Sequence, residues 1–142
     1  MLTLLSALLV LAPVGSPEAR HAEKPKATCE VSEIRSPQTP RRRHSFRATR
    51  IVELELEVLV HGRSKHERRL QLRIYTPRGF LYQVLELPLD GAASRRRVFE
   101  ARLPVAGTSI MASGLYGRFK VVPHLDDRRE PCGQGRSFVI KP

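Results

Sequence analysis

Residues 51–60 read IVELELEVLV. Val52, Leu54, Leu56, Val58 and Val60 take every second position, and Glu53, Glu55 and Glu57 fill the places between them. A period of two marks a strand with one face in a core and the other in water. Wound as a helix, the three acids would scatter around the axis. The stretch therefore predicts a half-buried strand.

The same pattern recurs on both sides. Residues 68–76, RRLQLRIYT, turn Leu70, Leu72 and Ile74 inward and Arg69, Gln71, Arg73 and Tyr75 outward. Further strands are read at 80–87, 97–103, 115–122 and 136–141, with a short first one at 29–34. We letter these seven A to G in chain order. Residues 36–49 hold Pro37, Pro40 and a basic run and read as a loop. Only residues 105–113 leave room for a turn of helix. Seven short strands punctuated by Gly, Pro and Asp predict an all-β sandwich over residues 29–142.

Residues 1–16, MLTLLSALLVLAPVGS, carry no charge. Their apolar run is short of the roughly 20 residues that span a bilayer and fits the apolar region of a secretory signal peptide. We place the signal at 1–19, ending at Ala19, and a polar linker without fixed structure at 20–28. No transmembrane segment is expected in the mature chain, which would be periplasmic or secreted. Two cysteines, Cys29 and Cys132, in an exported chain read as one disulfide. With no paired histidines nearby, they do not suggest zinc.

The formal net charge is +11. Removing residues 1–19 takes away Glu18 and no base, so the mature chain is more basic still. Such a charge favours anionic partners and says nothing about fold. Catalytic patterns are missing: Ser113 before Gly114 lacks a Gly-x-Ser-x-Gly elbow, and there is neither His-Glu-x-x-His nor a Gly-rich loop with Lys. The sequence calls for no enzyme activity, cofactor or metal. Aromatics make up 6% of the chain, too few for the stacking platforms of single-strand binding, so nucleic acid is disfavoured.

The segment Leu103–Leu125, LPVAGTSIMASGLYGRFKVVPHL, followed by Asp126, resembles the last part of bacterial exported immunoglobulin-like domains. Gly114-Leu115-Tyr116 and Leu125-Asp126 carry the likeness. The chain has no Trp, and no Cys pair joins strands B and F. The resemblance implies an immunoglobulin-like sandwich with adhesive, scaffolding or accessory roles, and no activity. In that topology the start of A meets the F–G loop, which suits a Cys29–Cys132 bridge. Strands B and E then share an acidic-leaning face with Glu53, Glu55, Glu57, Glu100 and Arg102. Strands C and F share a basic one with Arg69, Arg73, Arg118, Lys120 and His124. A competing arrangement pairs B with C as a hairpin and sets the Glu row against the Arg row, which would leave no basic face.

The B–C, D–E and F–G loops cluster at one end of such a sandwich. They supply Arg63, Lys65 and His66; Arg95, Arg96 and Arg97; and Arg128, Arg129 and Arg136, opposed in part by Asp126, Asp127 and Glu130. Arginine can grip phosphate or carboxylate with two parallel bonds. The expectation is a non-enzymatic binding or scaffolding domain of the cell envelope, contacting an anionic polymer or an acidic protein through this rim and the C–F face. The alternative is an interaction module that takes a partner strand at a sheet edge.

Overall fold

The computed structural model describes residues 27–39, 43–62, 67–89 and 96–142. The signal and most of the linker, together with Arg63, Lys65, His66 and Arg95, lie outside the described residues. The strands are β1 (Thr28–Arg35), β2 (Ser45–Arg47), β3 (Glu53–His61), β4 (Arg69–Tyr75), β5 (Leu81–Pro88), β6 (Arg96–Pro104), β7 (Gly117–Leu125) and β8 (Arg136–Lys141). A 3-10 turn, Ala48–Arg50, follows β2, and one helical turn, α1 (Ser109–Ala112), precedes β7. The Thr108 hydroxyl caps α1 by accepting from the Ile110 amide.

The strands form two sheets, ordered β1-β3-β6 and β2-β8-β7-β4-β5. Strand B (β3) lies between A and E, and strand C (β4) lies between D and F. This is an immunoglobulin-like β-sandwich with its fourth strand on the C–F–G sheet. The turn at Thr76–Gly79 explains that placement. Pro77 takes the second position of a tight turn, the Gly79 amide donates to Thr76 O at 2.9 Å, and Gly79 adopts φ +85°. The chain therefore returns at once beside β4. The alternative B–C hairpin is not formed, since β3 pairs with β1 and β6 alone.

Among the described residues eight strands stand where seven were expected. The addition, β2, lies inside the stretch read as a loop. Three residues cannot display alternation; β2 exists because the edge of β8 is there to receive it. It pairs in parallel, Ser45 with Val139, Phe46 with Ile140 and Arg47 with Lys141, and it buries Phe46.

The two inner faces meet in one core. Leu54, Leu56, Val58 and Val60 of β3 face Leu70, Leu72 and Ile74 of β4, Phe119 and Val121 of β7, and Phe138 and Ile140 of β8. Phe119 and Phe138 stack with centroids 5.5 Å apart, and Tyr82 meets Phe119 edge-on at 6.4 Å. Such pairs contribute about 0.5–1.5 kcal/mol beyond the area they bury. Val52, expected on this face, is 58% exposed because β3 begins only at Glu53. Ala27 and Thr28, assigned to the linker, belong to the sandwich: Ala27 is buried and Thr28 pairs with His61.

Candidate functional site

The outer face of β8-β7-β4 is built by alternation. Arg69, Gln71, Arg73 and Tyr75 point out from β4, Arg118, Lys120, Val122 and His124 from β7, and Ser137 and Val139 from β8. Register sets Tyr75 beside Lys120, Arg73 beside Val122 and Gln71 beside His124. It also sets Lys120 beside Ser137 and Arg118 beside Val139.

One end of this face is roofed. The F–G loop, residues 126–135, folds back over it and leaves Gln71 5% and His124 3% exposed. The loop is fastened at several points. Cys29 and Cys132 form a disulfide with a Cα separation of 5.1 Å. The Cys29 amide donates to Cys132 O at 2.8 Å, and the Cys132 amide to Pro123 O at 3.0 Å. A β-carbon on Gly133 would overlap the Cys29 carbonyl oxygen, so glycine is required there. Asp126 takes a left-handed φ of 50°, which Asp tolerates better than most residues, and its Oδ1 accepts the amides of Arg68 and Arg69.

Asp127 accepts from Arg69 Nη2 at 3.1 Å and from Gln71 Nε2 at 2.9 Å. Gln71 Nε2 also reaches Glu86, and Glu67 pairs with Arg128 at 3.2 Å. His124 Nδ1 lies 2.9 Å from the Arg128 carbonyl oxygen. Burial pushes the His124 imidazole below its ordinary value; that carbonyl favours the charged form, and the Arg73 guanidinium opposes it.

The anticipated basic residues thus divide. Arg69 and Arg128 are spent on Asp127, Glu86 and Glu67. Arg136 is a structural tie. A β-bulge in β1 between Val31 and Glu33 breaks the ladder, and Arg136 Nη1 crosses the sandwich to donate to the carbonyls of Val31 and Ser32. Arg96 and Arg97 lie in β6, opposite His61 and Val60, rather than in the D–E loop. Arg97 sits over the Phe99 ring at 5.8 Å. Arg96 lines a recess that also contains Glu33 and Glu57. Neither belongs to an all-basic rim.

What remains is an open groove of about 560 Å³ beyond the roof. Arg73, Tyr75, Arg118, Lys120, His124, Arg129 and Ser137 line it, and none of its described lining residues is an acid. Among the described residues, Arg118, Lys120 and Arg129 have no carboxylate within ion-pair distance, while Arg73 bonds only to Gln71 Oε1 and the Arg128 carbonyl. Tyr116, just before β7, is partly buried and packs against the core. The adjoining Gly117 has φ +134°, a conformation that reorients the chain as β7 begins.

The opposite sheet carries the contrasting face. Glu33, Glu57 and Glu100 lie side by side across β1, β3 and β6. Arg35 bonds Glu55 at 2.6 Å and Glu100 at 3.1 Å, and Arg102 bonds Glu53 at 3.1 Å. The molecule is therefore polar across its thickness. No group of three metal-ligating side chains occurs among the described residues, and no helix among them is long and apolar enough to cross a membrane.

A second concavity, of about 580 Å³, lies along β2 and β8, and sequence reasoning missed it. Arg43, His44, Arg47, Arg50, Arg118 and Lys141 rim it over a floor of Phe46, Ile51 and Phe138. The basic run near residue 43 was visible in the sequence, but its place on this face depends on β2.

No family model and no curated protein matches the sequence. Among solved structures, an immunoglobulin-like protein of Pseudomonas aeruginosa is 12% identical with a TM-score of 0.47, covering 83% of this chain and 98% of its own. A β-glucosidase of Kluyveromyces marxianus matches at 9% identity and TM-score 0.49, over 82% of this chain and 14% of that one. The CARDB domain of a Pyrococcus furiosus protein, in complex with di-metal ions, matches at 15% and 0.40, over 83% of this chain and 94% of its own. The fold assignment stands on the strand order described above.

Proposed function

We propose that this chain is a non-catalytic, exported domain that binds an anionic polymer of the cell envelope on the outer face of β8-β7-β4. The observation that carries this reading is the groove around Arg73, Arg118, Lys120 and Arg129, which has no acid among its described lining residues, while Glu33, Glu57 and Glu100 form a row on the opposite sheet. Cations without carboxylate partners keep their charge available to a ligand, whereas paired ones are already compensated. The disulfide supports a site outside the reducing cytoplasm.

Binding of the oxidised protein to a sulfated glycan, a poly(glycerol phosphate) and DNA, across a salt series, tests this. Counterion release predicts affinity falling steeply with salt, by a slope set by the number of charges engaged. Replacing Arg73 and Lys120 by Ala should weaken binding about tenfold or more and shallow that slope by roughly 1–2 units. Unchanged binding in that variant would sink the site.

Strand addition is the second reading, because β5 is a sheet edge flanked by exposed Phe80 (69%), Leu81 and Val84. Binding that survives high salt and is lost on Leu81→Arg would favour it.

A further inference from the structure

Resting on that reading, we infer that the binding surface is a continuous track crossing the sheet to the β2 edge, and that its ligand is a linear polyanion rather than a compact anion. Arg118 and Ser137 line both concavities, so the two recesses join. Neither contains an acid among its described lining residues. The far half is supplied by Arg47, Arg50 and Lys141, and by Arg43, which also borders the recess holding Glu33 and Glu57; none of the four has an ion pair among the described residues.

The register sharpens the argument. Arg47 lies directly opposite Lys141 in the parallel β2–β8 pair. Like charges in such positions destabilise a sheet. Here the repulsion is left standing, and an anion lying between the two would reverse its sign. Arg50 adds a further exposed cation, at the end of the short turn Ala48–Arg50 that buries Ala48 and leads into the buried Ile51.

Extent decides the ligand class. From β4 to β2 the track crosses three strand spacings of about 4.8 Å, so its ends are roughly 14 Å apart before side-chain reach is added. A single phosphate or carboxylate engages one row of cations. A chain of repeating charges engages every row. Among the described lining residues Tyr75 is the one Phe, Tyr or Trp not buried in the floor, which disfavours stacked bases and favours charges carried on a non-aromatic backbone.

Tripolyphosphate and long-chain inorganic polyphosphate are the probes, titrated into the oxidised protein by calorimetry. The track predicts at least tenfold tighter binding of the long chain at equal phosphate concentration. In the variant Arg43→Ala/Arg47→Ala/Arg50→Ala, most of that difference should vanish, and the salt slope for the long chain should fall by roughly 2 units. These side chains are exposed, so an unchanged thermal midpoint verifies folding. Arg102→Ala, on the other sheet, is the control and should bind as the wild type does.

Long-chain binding untouched by the triple variant but weakened by Arg73→Ala/Lys120→Ala would overturn the track and leave the groove reading intact. Failure of the wild type to bind either probe, or any of the three polymers named above, would overturn both.

Discussion

Cys29, at the start of β1, and Cys132, in the loop before β8, are bonded across 103 residues of chain. The bond therefore does two things. It closes nearly the whole domain into one loop, and it pins the segment that roofs Gln71 and His124.

Replacing both cysteines by Ser should cost about 4–5 kcal/mol on chain-entropy grounds for a loop of this length. Urea unfolding with and without reductant measures it, and the double variant should match the reduced wild type. A loss well under half that size would mean that the F–G loop holds through Asp126, Asp127 and Gly133 without the bridge.

Arg136 separates structure from binding. Replacing it with Ala strands the carbonyls of Val31 and Ser32 at the bulge, where no ladder partner replaces it. The expected cost is about 1–3 kcal/mol, recovered in part by Arg136→Lys. Polyanion affinity and its salt slope should not move. A binding loss without a stability loss would return Arg136 to the binding rim.

His124 makes stability depend on pH in a calculable direction. Its folded-state value lies below the ordinary 6.5. As pH falls through 6.5 the unfolded chain takes up a proton that the folded chain still refuses. The unfolded state then binds more protons, so stability falls with falling pH. The decline ends once pH drops below the folded value. From about pH 7 to about pH 5, the urea midpoint of the wild type should fall further than that of His124→Gln. Equal slopes would clear His124 of the effect.

Much of the architecture was legible because it rests on local alternation. Leu54, Leu56 and Val58 against Glu53, Glu55 and Glu57 specify a strand and both of its faces, whatever the partner. The basic character of Arg73, Arg118 and Lys120 followed once strands C and F were made neighbours. Legibility failed where burial came from elsewhere. Gln71 and His124 alternate outward correctly, yet the 126–135 loop, remote in sequence from Gln71, folds back over both. Arg96 and Arg97 look like one basic cluster, yet adjacent strand residues point to opposite faces.

By itself, then, the sequence determined the strand class, the inner faces, the disulfide count and the excess of positive charge, each a matter of period two or of counting. Tertiary structure alone decided which cations carry carboxylate partners. Ion pairs such as Arg69–Asp127 and Arg102–Glu53 join residues 58 and 49 positions apart, and no local pattern encodes such a distance. It also decided that Ser45–Arg47 is a strand, because three residues become one only where the open edge of β8 supplies their hydrogen bonds. Through that strand, a basic loop became the far end of a cationic surface.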